Sequence, residues 1–388
     1  MSWKTHSVQD QKLLLIADWL RGDEPKESLC ARYGISRETG YQWWRRYQAE
    51  GLPGLAERSR APHEHGRAMS AEAAVKLIEL RKLKPYWGPK KLLAILRERA
   101  PKLVLPSSSA VSDLFRREGL IEPRRRRRRA LSNDQLFGEV GAPNDSRCID
   151  FKGWFRTGDG LRCDPFTTTD AHSRFLLELK IVEPKGYAVE AAMDALFERH
   201  GLPRAIRSDK GSPFASIGAG GLTRTSARWA KLGIRLERIE PGKPQQNGRH
   251  ERMHGTLKGQ ACKPPSADVA SQQARFDAFR AEFNTERPHE ALGQIPPCRV
   301  YCDSTRPMPR HIEEPVYDDS EDLRRVRSNG EIRWQGGLLF VSEALTGETV
   351  AIRELEEGHH LIRVADVPLL LLDRKTGKTK AQPDLSGM

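Results

Sequence analysis

Three short segments, each carrying one acidic residue, most limit what this chain can fold into. In the first, residues 146–152 (SRCIDFK), Asp150 lies between two apolar residues of a β-prone run. Successive strand side chains point to opposite faces, so Asp150 projects away from its apolar neighbours. In the second, the run 205–208 ends at Asp209 before a glycine-containing turn, and in the third a Pro/Gly loop leads into a helix carrying Glu251. A single such aspartate usually forms a turn or a salt bridge, whereas three matching segments indicate a shared site.

Five motifs in this order resemble the Asp-Asp-Glu core of the retroviral-integrase superfamily, and most closely its bacterial insertion-sequence transposases. They span roughly 140 residues, which makes the resemblance far more specific than one short pattern. The motifs are IDFKG at 149–153, TDAHSRF at 169–175, SDKG at 208–211, PGKPQQNGRHER at 241–252, and FN at 283–284 with RPH at 287–289.

The resemblance implies that Asp150, Asp209 and Glu251 are the catalytic residues and the metal ligands. Transfer of a DNA phosphodiester needs an activated hydroxyl and cancellation of charge on the reacting oxygens. Two Mg²⁺ ions, for which Mn²⁺ can substitute, meet these needs and prefer carboxylate ligands. By resemblance, Asp150 bridges both ions, Asp209 completes one site and Glu251 completes the other.

The sequence departs from the family pattern at two places. Between Asp209 and Glu251 lie 41 residues, against roughly thirty-five in the family. The surplus fits the Gly-rich run 216–221, which can loop out at small thermodynamic cost. Position 255, commonly basic in the relatives, is Gly255. The resemblance places a DNA-phosphate contact at Lys258, and Arg249 and Arg252 can share that role.

Basic charge is concentrated ahead of the three acidic segments. The net charge is +13, of which residues 1–139 contribute +11, as expected for a part that holds a polyanion. No CxxC pair occurs among the six cysteines, and no apolar stretch is long enough to span a membrane. We therefore expect free thiols, no membrane association and a cytoplasmic, nucleoid-associated bacterial protein.

The first 55 residues are predicted to form a helix-turn-helix. The pattern predicts helices at 8–20, 26–33 and 37–50, with Ser36 as the N-cap of the third. Because the helix after the turn enters the major groove, its early polar and basic residues are the candidates for DNA contact; an ordinary helical bundle remains the alternative. The candidates are Arg37, Thr39, Tyr41, Gln42 and Arg45.

A second helical unit is predicted between residues 67 and 121. Helices are expected from Ser70 to Leu83, at 90–99 and at 107–118, with a wing strand at 103–105. Six arginines follow, and such a run is either a solvated tract or a sequence-independent phosphate contact. They are Arg124, Arg125, Arg126, Arg127, Arg128 and Arg129.

The predicted fold class is multidomain α/β. The central region alternates as expected for a ribonuclease-H-like sheet, with Asp150 and Asp209 on adjacent strands and the Glu251 helix across their ends. Closely spaced turn signals after residue 315 indicate a small five-stranded barrel. The predicted divisions are 1–55 (helix-turn-helix), 67–121 (second helix-turn-helix or winged unit), 122–142 (Arg-rich linker), 143–300 (ribonuclease-H-like catalytic core with its trailing helix) and 315–388 (β-barrel).

The sequence thus predicts a DNA transposase that binds the terminal repeats of its own element and catalyses metal-dependent 3′-end cleavage and strand transfer. Its partners would be double-stranded DNA, both element ends and target, and at least one further copy of itself. Two alternatives stay open: a noncatalytic DNA-binding regulator that retains the fold, and a ribonuclease-H-like nuclease that hydrolyses DNA without joining it.

Overall fold

The computed structural model describes residues 7–58, 69–121, 140–240, 244–355, 358–373 and 379–381. The chain divides into two compact units, Met1–Ala68 and Met69–Met388. The six arginines at 124–129 lie outside the described residues. Among the described residues, no helix is both long and apolar enough to cross a membrane.

The first unit contains α1 (Val8–Arg21), α2 (Lys26–Arg32) and α3 (Arg37–Glu50). As predicted, the Ser36 side chain caps α3, since its hydroxyl accepts a hydrogen bond from the Thr39 backbone N–H at 3.1 Å. Close approach of α2 and α3 depends on Gly40, because a Cβ there would lie 2.5 Å from the Cys30 sulfur. Trp44 stacks on Trp19 of α1, with ring centroids 5.8 Å apart, which closes the small core.

The second unit begins with α4 (Ala71–Leu83), α5 (Pro89–Arg99) and α6 (Ser108–Arg117). Ser70 and Ser107 are the N-caps of α4 and α6, and their hydroxyls accept hydrogen bonds from the backbone N–H groups of Ala73 and Ala110, each at 3.2 Å. The predicted wing strand at 103–105 is wrong, because those residues form no strand. They pack instead as part of the connection between α5 and α6, where Leu103 and Leu105 contact the helical core.

A mixed five-stranded sheet forms the centre of the second unit. Its strands, in the order β5-β4-β1-β6-β7, are antiparallel between β5, β4 and β1 and parallel between β1, β6 and β7. This arrangement agrees with the predicted mixed α/β core. The strands are β1 (Arg147–Phe151), β4 (Pro165–Asp170), β5 (Leu176–Ile181), β6 (Ala205–Ser208) and β7 (Arg235–Arg238), with the small hairpin β2 (Phe155–Arg156) and β3 (Arg162–Cys163) beside them.

Helices cover both faces of this sheet. On one face α7 (Gly186–His200) and α8 (Arg224–Lys231) pack against Ile149 and its neighbours. On the other face lie α9 (Gly248–Gln260) and α10 (Val269–Thr285). Apolar residues of β1 therefore face α7, whereas Asp150 faces α9, which is the alternation that the sequence predicts.

The C-terminal strands do not confirm the predicted barrel. They form an open antiparallel sheet in the order β14-β13-β12-β11-β8, and a separate hairpin pairs β9 with β10. Within the described residues the two edge strands, β8 and β14, do not pair with each other, so this sheet does not close. The strands are β8 (Asp322–Arg325), β9 (Glu331–Trp334), β10 (Gly337–Phe340), β11 (Thr349–Glu354), β12 (His359–Val364), β13 (Val367–Asp373) and β14 (Thr379–Ala381).

Candidate active site

Asp150 lies near the end of β1, directly across from Thr167 of β4. Its side chain is 28% exposed. Burial and, in addition, the negative charges of Asp209 and Glu251 raise the pKa of this carboxyl from 3.8 to about 7. The charges of the other two acidic residues predicted from the sequence therefore act on Asp150.

Asp209 directly follows β6, the parallel neighbour of β1. This confirms the expected adjacency of the two strands. The turn after β6 orients the side chain, since the Gly211 backbone N–H donates to Asp209 Oδ1 at 3.1 Å. Asp209 is exposed, as suits a group at the edge of a site that solvent can enter.

Glu251 lies in the first turn of α9 and is exposed. Within the described part of the chain, no cation lies within 4.0 Å of its carboxylate. A carboxylate near a helix N-terminus is favoured by the helix dipole, but here it also adds to the charge beside Asp150.

Two histidines on α9, His250 and His254, complete the buried side of the site. Both Nε2 atoms lie 2.7 Å from the hydroxyl oxygen of Thr167. The same hydroxyl donates to the Asp150 backbone carbonyl at 2.9 Å. Burial lowers the pKa of His254 to about 3 and that of His250 well below its usual value. Both imidazoles are therefore neutral.

Sequence reasoning missed these histidines, although they have a recognisable spacing. His250 and His254 are four residues apart and flank Glu251, so both lie on one face of the helix. Only the packing of α9 on β4 shows that this face meets Asp150. One ligand atom each from Asp150, His250 and His254 lie within 4.8 Å of one another.

The donor set fits a divalent cation. The charges of Asp209 and Glu251 act on Asp150, and no lysine or arginine among the described residues lies within 4.0 Å of any of the three carboxylates, so a bound cation would favour the ionised form of Asp150. Carboxylate oxygens are the ligands of Mg²⁺, and carboxylate with imidazole suits Mn²⁺ or Zn²⁺.

A cavity of about 430 Å³ adjoins this site on the same face of the sheet. Thr169 and Cys148 line it, and they lie two residues from Thr167 and Asp150 on their strands. That offset corresponds to about 7 Å along a strand. The cationic residues lining the cavity are Lys91, Arg174, Arg249, Arg252 and Arg287.

The charges of these cationic side chains repel one another. Burial and the nearby charge of Arg249 lower the pKa of Arg174 to about 10. Burial and the charge of Arg287 lower the pKa of Lys91 to about 8. Arg287 is buried, and its Nη1 has no hydrogen-bond partner among the described residues. The cavity therefore suits an anion.

The cavity also contains two acidic residues, Asp170 and Glu290, whose charges oppose part of the lowering of the Arg174 and Lys91 pKa values. Asp170 accepts hydrogen bonds from the backbone N–H groups of Asn144 and Ser173, each at 2.7 Å, and from the Ser173 hydroxyl at 2.6 Å. Glu290 pairs with Lys90 at 2.5 Å. Both carboxylates are thus already engaged.

The structure separates the predicted DNA-contact residues into groups. Arg249 and Arg252 line the cavity, whereas Lys258, in the last turn of α9, does not. In the first unit, Tyr41 is 43% exposed but also packs edge-on against Trp19, with centroids 5.1 Å apart. Four more of the predicted contacts lie on the same helix, α3: Arg37, Thr39, Gln42 and Arg45.

Family models match three segments of the chain. An integrase core domain matches residues 232–297, a homeodomain-like domain matches residues 39–115, and a helix-turn-helix domain matches residues 11–63. The first of these contains Glu251, the histidine pair and α10.

Two relatives belong to bacterial insertion elements. The chain is 28% identical over 229 residues to the IS407 uncharacterized 31.7 kDa protein of Burkholderia multivorans, which covers 58% of this chain and 78% of the relative. It is 27% identical over 231 residues to the IS476 uncharacterized 39.2 kDa protein of Xanthomonas euvesicatoria, which covers 58% of this chain and 63% of the relative.

A solved structure of the HTLV-2 integrase catalytic core domain in complex with magnesium aligns with 42% of this chain and 99% of its own, at 12% identity and a TM-score of 0.33. The integrase core domain, the helix-turn-helix domains and the insertion-element relatives together support the prediction of an insertion-sequence transposase of the integrase superfamily.

Proposed function

We propose that this transposase cleaves the 3′ ends of its own element and joins them to target DNA, with Asp150, Asp209 and Glu251 as the catalytic metal ligands. One observation carries the proposal. The charges of Asp209 and Glu251, added to burial, raise the pKa of Asp150 to about 7. No lysine or arginine among the described residues pairs with any of the three carboxylates within 4.0 Å, so a bound cation would lower the cost of ionising Asp150.

Divalent ions, Mg²⁺ or Mn²⁺ and two in number, would activate the attacking water or 3′-hydroxyl and stabilise the leaving oxygen. Asp150 is fixed on a central strand and its backbone is held by Thr167. Asp209 follows β6 in a turn, Glu251 lies in the first turn of α9, and the charges of both act on Asp150. A rigid strand with two exposed partners suits a site that DNA must enter from solvent.

The cationic cavity is our candidate for the path of the DNA backbone toward this site. Arg249 and Arg252 lie within one helical turn of Glu251 on α9. The cavity is offset from Asp150 by about two strand residues, which is roughly 7 Å. A phosphate bound there would satisfy Arg287 Nη1 and relieve the repulsion between Arg174 and Arg249. Lys258 would contact the backbone farther along α9.

We assign recognition of the element's terminal repeats to the helix-turn-helix part, through α3. An early helical face that carries Arg37, Thr39, Gln42 and Arg45 offers the donors that read base edges and phosphates. The arginines at 124–129 would add phosphate contacts without sequence preference. Two ends must react together, so we propose an assembly of at least two copies on paired ends.

The proposal is tested with the purified full chain, a duplex carrying an element end, target plasmid and Mg²⁺. The wild type should nick the 3′ end and join it to the plasmid, and removal of the metal with EDTA should stop both steps. Asp150→Asn, Asp209→Asn and Glu251→Gln should each abolish both steps while binding to the end stays near the wild-type level. Asp277→Asn, an exposed change on α10, is the matched control.

Three results would contradict parts of the proposal. Strand transfer at the wild-type level by any of the three variants would show that the residue concerned is not a catalytic ligand. Nicking without joining by the wild type would indicate a nuclease. End binding with no metal-dependent cleavage would indicate a regulator that retains the fold.

A further inference from the structure

The hydroxyl of Thr167 organises the buried side of the acidic site. A hydroxyl has one proton and accepts two hydrogen bonds. Its proton goes to the Asp150 carbonyl, 2.9 Å away, because a carbonyl oxygen only accepts. The two Nε2 atoms at 2.7 Å, from His250 and His254, must therefore both carry protons and donate to Thr167.

The second ring nitrogen distinguishes the two histidines. His250 Nδ1 lies 2.7 Å from the Thr169 hydroxyl, so both of its nitrogens have partners. His254 Nδ1 faces Asp150 Oδ2 at 3.7 Å, and no hydrogen bond from another described residue reaches it. This distance exceeds the about 2.7 to 2.9 Å of a charge-assisted hydrogen bond.

We propose that His254 Nδ1 and Asp150 Oδ2 are ligands of the same divalent ion, so that the acidic site contains one nitrogen ligand in addition to its three carboxylates. The inference rests on the proposed metal-binding function of Asp150. Ligand bonds of about 2.0 to 2.2 Å place two ligand atoms of one ion roughly 3 to 3.7 Å apart, depending on the bond angle. The observed separation is at the upper end of that range and needs little movement of either side chain.

The surroundings of His254 are those of a metal-ligating imidazole. Such an imidazole donates its other ring N–H to a fixed acceptor, which sets its tautomer and orientation. Here the acceptor is Thr167, which also holds the backbone of Asp150. One hydroxyl thus positions both ligands. His250, with both nitrogens bonded to threonines, supports Thr167 and is a positioning residue.

A nitrogen ligand changes which ions the site favours. Mg²⁺ prefers oxygen ligands and dehydrates reluctantly, whereas imidazole suits Mn²⁺ and later first-row ions. The site should therefore bind Mn²⁺ in preference to Mg²⁺ by a margin that depends on His254. A site made of three carboxylates alone would prefer Mn²⁺ to Mg²⁺ by a smaller margin.

Electron spin-echo envelope modulation of Mn²⁺ bound to the full chain tests the inference without reference to activity. The wild type should show nitrogen coupling from a directly bonded imidazole. That coupling should disappear in His254→Asn, which should also bind Mn²⁺ about 10- to 100-fold more weakly. His250→Asn, which removes the neighbouring imidazole on the same helix, should keep the coupling. Circular dichroism confirms that each variant is folded.

The outcomes separate this inference from the function on which it rests. Bound Mn²⁺ without nitrogen coupling in the wild type overturns the ligand assignment and leaves a carboxylate metal site intact; this measurement needs no variant. Coupling that survives His254→Asn but is lost in His250→Asn also overturns it. Failure of the wild type to bind Mn²⁺ at all would contradict both the inference and the proposed function.

Discussion

Two groups of charges on the central sheet behave in opposite ways. Glu237 of β7 is buried and fully paired, with Arg207 at 2.9 Å, Arg235 at 3.0 Å and the Ser146 hydroxyl at 3.0 Å. Asp150, on β1, is partly buried beside two further carboxylates, and burial together with their charges raises its pKa to about 7. The carboxylate of the first group is paired with arginines of the protein, whereas the carboxylates of the second group are not.

This difference distinguishes charged residues that stabilise the fold from charged residues that are available to bind a ligand. Burying a carboxylate is tolerated when arginines and hydroxyls satisfy it, as they do around Glu237. A partly buried carboxylate surrounded by like charge lowers stability, and such a group persists where something outside the chain compensates it. Substitutions in the two groups should therefore change stability in opposite directions.

The largest expected effect is a loss of stability on breaking the paired group. Glu237→Ala leaves the buried Arg207 guanidinium without this carboxylate, so the free energy of unfolding should fall by about 3 to 5 kcal/mol. Urea unfolding followed by tryptophan fluorescence measures it, since Trp229 is buried in the same core. The exposed Glu198→Ala is the control and should change stability by no more than about 0.5 kcal/mol. If both substitutions lowered the free energy of unfolding by a comparable amount, the proposed difference between the two groups of charges would be wrong.

A smaller effect of opposite sign is expected at the acidic site. The pKa of Asp150 is raised from 3.8 to about 7 in the folded protein, so ionisation of this group costs stability as the pH rises through that interval. Asp150→Asn removes the cost and should stabilise the metal-free protein by on the order of 2 kcal/mol at about pH 8. Near pH 4 the gain should be small. Unfolding in EDTA at both pH values measures it, and a gain that does not depend on pH would contradict the electrostatic explanation.

The sequence was sufficient to predict the strands that carry Asp150 and Asp209 and their adjacency. Alternating apolar residues and a glycine turn are local signals, and the order of the motifs supplied the pairing of distant segments. The sequence predicts the fold of the C-terminal region, after residue 315, less well. Turn residues there indicate short strands, of which the structure describes seven rather than the five expected. Closure into a barrel depends on which edges pair, and among the described residues β8 and β14 do not pair.

The histidine pair and the cationic cavity could not be predicted in the same way. His254 meets Asp150 only because α9 packs across β4, and Thr167 contacts both through cross-strand register. The cavity combines Lys91 of α5 with four arginines from three other places in the chain. No spacing in the sequence brings such distant residues together.

A calorimetric titration of the full chain with Mn²⁺ tests most directly whether the unpaired carboxylates are a metal site. The wild type should bind the ion, and Asp150→Asn, Asp209→Asn and Glu251→Gln should each bind it at least about 10-fold more weakly. Asp277→Asn should bind it as the wild type does. Equal binding by the wild type and all three site variants would contradict the account, because the ion would then lie elsewhere and the charges around Asp150 would have no partner.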